Sequence, residues 1–334
     1  MKALILEEYN EPFQLKEINK PEVGKGQVLV KIKASSINPI DLKIKMGKAG
    51  HAKTILPAIL GIDLAGIIES VSEGIKDFKV GDEVYGMTGG IAGVQGSLAE
   101  YAAVDANLLA LKPRNMSMRE AAAIPLIFIT AWEGLVDRAN VREGKTVLIH
   151  GGAGGVGHIA IQIAKSRGAQ VFTTVEPDKN DLIKSYGATP IDYKNTSVDD
   201  YVIKYTDGEG FDIIYDTVGG DILDASFKAA KQYFGHVLSI LGWGTHNIAP
   251  LSFHGATYSG VFALYPLISG KSRSHHGDIL REATKLIEEG KVIPLVDPVH
   301  YTMSNIAEAY ETQAQRTAKG KIIIVIDPTP SSHE

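Results

Sequence analysis

The chain reads as an α/β protein in which a doubly wound parallel sheet follows a turn-rich β unit. Three observations predict it. First, the apolar run Val147-Leu-Ile-His150 leads straight into Gly151-Gly-Ala-Gly-Gly-Val-Gly157, and an amphipathic segment, His158 to Arg167, follows and closes at Gly168. That is the order buried strand, tight turn, helix. Second, from Thr146 onward apolar strands alternate with helical segments, which requires parallel pairing through crossovers. Third, residues 1 to about 113 carry short strands broken by frequent turns, as in a barrel-like or sandwich unit.

The first strands are expected at Lys2 to Leu6 and Phe13 to Ile18, with a turn at Pro21 to Gly26. Gln27 to Ala34 alternates apolar and polar residues, the period of a half-buried strand. Gly61 to Val71 is a further strand, and Lys79 to Tyr85 is a turn and then a strand. Gly86 to Gly96 contains five glycines and is expected to be a mobile loop, with a strand resuming over Ser97 to Val104. Ser117 with Glu120 forms a capping box for a helical stretch, Met118 to Arg138, that Pro125 should interrupt.

Strands follow at Val147–His150, Gln170–Val175, near Ile191, Phe211–Asp216, His236–Leu241 and Thr257–Ala263. The helices between them include Lys179–Tyr186, Val198–Tyr205 and Asp221–Lys231. The tail supplies a helix over Gly277 to Glu289 ended by Gly290, a strand at Val299 to Thr302, a helix over Ser304 to Gln315 and a strand over Lys321 to Ile326. Beyond Asp327 the composition predicts disorder.

At 334 residues the chain has room for two domains. Its net charge of −5 gives no general attraction to nucleic acid or to anionic membrane. It has no cysteine, which removes disulfides, thiolate zinc sites and a cysteine nucleophile together. No apolar run reaches the length of a membrane span, and Met1 to Tyr9 does not read as a signal peptide, so a cytoplasmic protein is expected.

The glycine motif carries the most chemistry. Gly152, Gly154 and Gly157 match G-x-G-x-x-G in register. Gly152 is read as permitting the turn, Gly154 as letting a pyrophosphate approach the backbone, and Gly157 as letting the helix lie close on the strand. With Gly155 and Val156 they form the candidate phosphate cradle, because a helix N-terminus presents N–H groups and the positive end of its dipole. Glu176, at the end of the second strand, stands where a carboxylate accepts from the ribose 2′-hydroxyl of NAD.

With these residues in place the chain resembles the medium-chain dehydrogenase/reductase superfamily, in its zinc-independent quinone oxidoreductase branch. The resemblance rests on Ile37-Asn-Pro-Ile-Asp41, Gly61-Ile-Asp-Leu-Ala-Gly66, Val80-Gly-Asp-Glu-Val84, Gly96 to Tyr101, Thr130 to Leu135, Gly151 to Gly157, Asp212 to Gly220 and Gly320 to Ile322. It implies a Rossmann domain, 116–263, inserted into a GroES-like β-barrel catalytic domain made of 1–115 and 264–334. It also implies an active cleft at their junction and a homodimer, with Thr257–Ala263 as a candidate dimer edge. Zinc-dependent relatives carry a Cys and a His where Asn38 and Ile62 stand here. The only histidine pair, His275-His276, reads as a solvated loop before a helix rather than as a metal site.

The resemblance further implies hydride transfer from a nicotinamide cofactor to a quinone or an α,β-unsaturated carbonyl. The same-class alternative is a reductase or dehydrogenase for another carbonyl or alcohol; the other alternative is a low-turnover dinucleotide-binding sensor. NADP(H) is taken over NAD(H), with Lys179 and the adenosine-pocket Tyr193 set against the carboxylate of Glu176. Thr130 matches a nicotinamide contact, and Asn38 and Asp41 match a cleft-facing pair. Asn38 is open to two readings, a donor to the substrate oxygen or a turn residue before Pro39, and Asp41 is read as capping local backbone. Val218, Leu241, Gly242 and Phe262 are candidates for lining the cofactor. Lys321 either reaches the cofactor or meets solvent. Where related reductases place tyrosines, Lys43 and Ala49 stand here, so Lys43, His51 and solvent are the candidate proton sources. The basic run Lys43, Lys45, Lys48, His51 and Lys53 is a candidate for steering an anionic substrate, against a plain solvated face.

Overall fold

Strand β1 (Lys2–Leu6) pairs antiparallel with β2 (Gln14–Glu17) and with β4 (Ala58–Ile59), forming a small three-stranded sheet. The long strand β3 (Gln27–Ile37) belongs to a larger sheet with β5 (Asp63–Val71), β6 (Glu83–Met87), β7 (Tyr101–Asp105) and β8 (Leu109–Leu111). The alternation over 27–34 predicts this strand, but it runs on to Ile37. Ser35 and Ser36 are buried inside the sheet with their hydroxyls hydrogen-bonded, so polar residues extend the strand at no desolvation penalty. The structure is a computed structural model describing residues 1–327; the tail expected to be disordered, 328–334, lies outside the described residues.

Two expectations for this region change. The turn at Asn38-Pro39 opens a helix, α1 (Pro39–Lys45), with proline at its first position and Asp41 accepting from the Asn38 N–H at 2.9 Å. The glycine-rich segment after β6 is packed rather than open. Thr88 to Ile91 are buried, Thr88 N–H donates to the Ile62 carbonyl, and Ala92 N–H donates to that of Ala52. A Cβ on Gly89 would lie 1.9 Å from the Gln95 carbonyl oxygen, so the glycines there serve close packing. The predicted capping box forms at Ser117 and Glu120, and α2 (Met118–Ala122) ends before Pro125, which begins α3 (Pro125–Trp132). A π-helical turn, Glu133–Arg138, continues from α3. It needs glycine at 134, where a Cβ would come within 2.7 Å of the Tyr215 ring.

The second unit takes in Ile127–Ala263 with Lys291–Ile293; the first holds Met1–Leu126, Leu264–Gly290 and the chain from Pro294. Its strands are β9 (Thr146–His150), β10 (Gln170–Val175), β11 (Thr189–Asp192), β12 (Ile213–Asp216), β13 (His236–Ser239) and β14 (Thr257–Gly260). They form one parallel sheet in the order β11-β10-β9-β12-β13-β14. The connecting helices include α4 (Gly155–Ser166), α5 (Asn180–Ser185), α6 (Val198–Thr206), α7 (Asp221–Ala229) and a short α8 (Ala249–His254). Leu148, Phe172, Ile191, Phe211, Ile214, Phe227 and Val237 are buried together on one side of the sheet. The strand order reverses on either side of β9, the point in such sheets where ligands bind beyond the carboxyl ends.

The chain then returns to the first unit with α9 (Tyr265–Ser269), α10 (Arg273–Glu288), β15 (Tyr301–Thr302), α11 (Ile306–Gln315) and β16 (Ile322–Val325). Strand β16 pairs antiparallel with β3 and joins the tail to the larger sheet. His275 and His276 lie within α10 and His276 is buried, so the expected solvated loop is a helix instead. Strand β14 stops at Gly260, which leaves Phe262 and Ala263 beyond it. Among the described residues no helix is long and apolar enough to cross a membrane.

Candidate active site

The glycine cradle lies between β9 and α4. Gly151 has φ +75° and makes the turn, a role expected of Gly152. Gly152 is needed for space: a Cβ there would lie 2.1 Å from Thr173 Oγ1 on the neighbouring strand β10. Gly157 is needed for closeness, since its Cβ would lie 2.2 Å from the Gly151 carbonyl oxygen. Gly154 is the N-cap of α4 and supplies no side-chain cap, so Gly155, Val156 and Gly157 begin a 12-residue helix with first-turn N–H groups facing the turn. A pyrophosphate fits this cradle by the charge of the helix N-terminus and by the glycines that leave the backbone N–H groups uncovered.

Two more loops end at the same edge of the sheet. After β12, the N–H groups of Val218 and Gly219 both donate to Asp216 Oδ1 at 2.9 Å, which folds the loop back. After β13, Leu241 N–H donates to Ser239 Oγ at 3.1 Å. The loops touch, for a Cβ on Gly219 would lie 2.8 Å from the Leu241 carbonyl oxygen, and one on Gly242 would meet the Tyr258 hydroxyl at 2.2 Å. Phe262 stands edge-on to Trp243, with ring centroids 6.3 Å apart. Thr130 is buried in α3, and its carbonyl accepts from the Tyr215 hydroxyl at 2.6 Å. His150, which ends β9, is buried beside Thr174 Oγ1 at 3.1 Å, and burial holds its imidazole well below the usual histidine range.

Beyond the carboxyl ends of β10 and β11 the structure revises the sequence reading. Val175 and Asp192 are in register on β10 and β11, so the residues that follow each strand are neighbours. Glu176 pairs with Lys194, Nζ to Oε1 2.6 Å, and the Tyr193 hydroxyl donates to the same oxygen at 3.5 Å. Lys179 instead pairs with Asp178 at 3.0 Å. The cation beside Glu176 is therefore Lys194, which single-sequence reasoning missed because only strand pairing places it there.

The first unit holds a buried polar cluster where β16, β3 and β5 lie side by side. Asp63 is fully buried: Oδ2 accepts from Ser36 Oγ at 2.7 Å and from Asn38 Nδ2 at 2.8 Å, and Oδ1 accepts from the Leu126 N–H at 2.8 Å. Lys321 Nζ sits 3.7 Å from Asp63 Oδ2, and it donates to Asn38 Oδ1 and to the Ile37 carbonyl. Burial pulls the Lys321 pKa below the usual lysine value despite the pull of Asp63 and Asp41. Two expectations are corrected here. Lys321 does not stand in solvent, because it is 7% exposed and its ammonium is hydrogen-bonded within the cluster. Asn38 is fully buried with both ends of its amide engaged, so a direct hydrogen bond to a substrate oxygen does not fit. Asp63 and Ser36 were visible only as parts of a motif, with no sign that they face Lys321.

Asp41 is also fully buried, with Oδ2 on the Asn38 N–H and Oδ1 without a hydrogen-bond partner. Burial, then the nearby Asp63, push its pKa up to about 7, against hydrogen bonds from Asn38 and the Lys321 charge. Asp41 therefore holds its proton to higher pH than a free aspartate does. The folded pKa lies above the unfolded value of 3.8, so the stabilisation this group gives is complete below 3.8 and is lost as pH rises to 7. Asp41→Asn should remove that loss. Its stability relative to the natural protein should climb between pH 4 and 7, by up to about 4 kcal/mol, then level off. Denaturant midpoints across that range check this; a constant offset at every pH would mean that Asp41 titrates normally.

A parallel six-stranded sheet with a glycine cradle at its switch point, in a chain whose two ends build a separate, largely antiparallel unit, defines a dinucleotide-dependent dehydrogenase or reductase of the medium-chain type. Comparison with known proteins agrees. Residues 24–114 match the alcohol dehydrogenase GroES-like domain family, and residues 186–324 match a family described as zinc-binding dehydrogenase. The chain is 35% identical to the chloroplastic NADPH-dependent alkenal/one oxidoreductase of Arabidopsis thaliana, over 97% of its own length and 79% of that protein. It is also 35% identical, with the same coverage, to the 2-methylene-furan-3-one reductase of Solanum lycopersicum. Among solved structures, an alcohol dehydrogenase superfamily protein from Novosphingobium aromaticivorans is 51% identical, with a TM-score of 0.96 over 98% of this chain and 100% of that one. The chain belongs to the medium-chain dehydrogenase/reductase superfamily, with its quinone- and enoyl-reductase-like members. The donor set does not fit the zinc named in one family description: the chain has no cysteine, and among the described residues no group of three His, Cys, Asp or Glu is placed to hold a metal ion.

Proposed function

We propose that this protein is an NADPH-dependent reductase of α,β-unsaturated carbonyl compounds, quinones included. The observation that carries the reading is the glycine-rich cradle Gly151–Gly157 at the head of α4, in a chain that spans most of a relative named for NADPH-dependent alkenal/one reduction. NADPH held there would supply the hydride. Gly152, Gly154, Gly155, Val156 and Gly157 would receive the pyrophosphate, and Glu176, Tyr193 and Lys194 would meet the adenosine ribose. Val218, Leu241, Gly242 and Phe262 would line the path toward the nicotinamide, with Thr130 as a contact at its end. Reduction of an enone also consumes a proton. Burial and the neighbouring Lys43 lower the His51 pKa, which leaves it a weak source near neutrality, and solvent supplies the proton in this reading.

The test is to mix the pure protein with NADPH and, separately, NADH, and to follow nicotinamide absorbance across 2-alkenals, cyclic enones and quinones. NADPH oxidation dependent on an enone or a quinone is the expected result. Tight NADPH binding without oxidation by any of them would favour a low-turnover dinucleotide sensor. Oxidation only with simple ketones or aldehydes would favour a carbonyl reductase.

A homodimer is part of the same proposal. Strand β14 is the edge of the parallel sheet, and Tyr233, Phe234 and Phe253 nearby in the chain are 81%, 76% and 86% exposed. A cytoplasmic location completes it. Sedimentation equilibrium tests the first and cell fractionation the second.

A further inference from the structure

The ribose end of the proposed cradle carries two opposite charges, and each suits a different cofactor. A carboxylate at the end of the second strand accepts from a free ribose 2′-hydroxyl. The 2′-phosphate of NADP, which carries about −1.5 to −2 charges at pH 7, would be repelled by the same carboxylate. Here the carboxylate is not alone. Glu176 Oε1 lies 2.6 Å from Lys194 Nζ, and the two side chains are 49% and 56% exposed. An ion pair so open to water is weak and cheap to break. Lysine offers three donors on a flexible four-carbon stem and can change partner without moving the backbone. The hydrogen bond and charge of Glu176 raise the Lys194 pKa, so Lys194 stays a cation.

The location supports the same use. Strand β10 lies between β9, which leads into the cradle, and β11, and the Gly152 N–H donates to the Thr174 carbonyl of β10 at 3.3 Å. Glu176 is two residues beyond Thr174, and Lys194 is two beyond Asp192, the partner of Val175. Lys179 pairs with Asp178 on the short turn that follows Glu176, in an ion pair just as exposed, so it is the rival cation and only Lys194 lies against the carboxylate itself. The Tyr193 hydroxyl reaches Glu176 only at 3.5 Å, which leaves the carboxylate loosely tied.

We infer that the Glu176–Lys194 pair is a two-way cofactor selector: Lys194 leaves Glu176 to take the 2′-phosphate of NADP(H), and Glu176 takes the bare 2′-hydroxyl of NAD(H). The inference rests on the dinucleotide site proposed above. It makes the protein able to bind both cofactors, with the preference set by one exposed pair.

The test is calorimetric titration of the full-length protein with NADP⁺, NAD⁺, 2′,5′-ADP and 5′-AMP, on the natural protein and on Lys194→Met, Glu176→Gln and Lys179→Met. Lys194→Met should lose about 10- to 100-fold in affinity for NADP⁺ and 2′,5′-ADP while NAD⁺ and 5′-AMP change less than about threefold. Glu176→Gln should weaken NAD⁺ and leave NADP⁺ equal or tighter. The ratio of the two affinities is the readout, since a merely structural role would move both together. Equal losses for both cofactors in Lys194→Met, or a loss for NADP⁺ carried by Lys179→Met instead, would overturn the selector. If the natural protein binds neither dinucleotide, the cofactor reading itself falls; if it binds NADP⁺ and Lys194→Met binds it as well, only the selector falls.

Discussion

Gly154→Asp should abolish cofactor binding while leaving the fold intact. The residue has φ −76° and caps α4, a position where aspartate is among the favoured residues. Its Cβ would meet only the Gly151 carbonyl oxygen, at 3.1 Å, a contact that a slight shift relieves. The carboxylate would then stand at the helix N-terminus, where the pyrophosphate must sit. Juxtaposed like charges cost several kcal/mol, so NADPH affinity should fall about 100-fold or more. Titration followed by nicotinamide fluorescence reads this, and the thermal midpoint should move by less than about 3 °C. Undiminished affinity in a folded variant would mean that the phosphates bind elsewhere.

Asp63→Ala should be the most damaging single change in the first unit. The carboxylate, fully buried, accepts from Ser36, Asn38 and Leu126 and faces the Lys321 ammonium. Its removal leaves a buried cation uncompensated, a loss of about 3–5 kcal/mol in comparable buried pairs. Guanidinium unfolding of the variant measures it, and a change under about 1 kcal/mol would show that the cluster carries little stability. In the double variant Asp63→Ala/Lys321→Met the two effects should fall short of their sum by about 0.5–3 kcal/mol, because no lone charge is left behind.

The parts of this protein visible in one sequence are those set by local chemistry. The cradle was legible because a strand, a turn and a helix dipole must follow one another along the chain, and the capping box at Ser117 and Glu120 because its partners are three residues apart. The parallel sheet was legible from strand–helix alternation. The short helices α8 and α9 were not, since 6 and 5 residues are too few to display a helical period. Nor was α1, where proline suits a turn and a first helical turn equally well.

By itself, then, the sequence determined the class of protein, the glycine turn at the head of α4 and a chain without cysteine ligands. Tertiary structure alone decided which charges meet. Lys321 reaches Asn38 across 283 residues because β16 pairs with β3, and Lys194 reaches Glu176 because β10 and β11 run in parallel register. Strand register brings distant side chains within a few ångströms, and no local spacing encodes it. That is why Asn38, open to two readings in the sequence, is a buried strut, and why the lysine beside Glu176 is Lys194 and not Lys179.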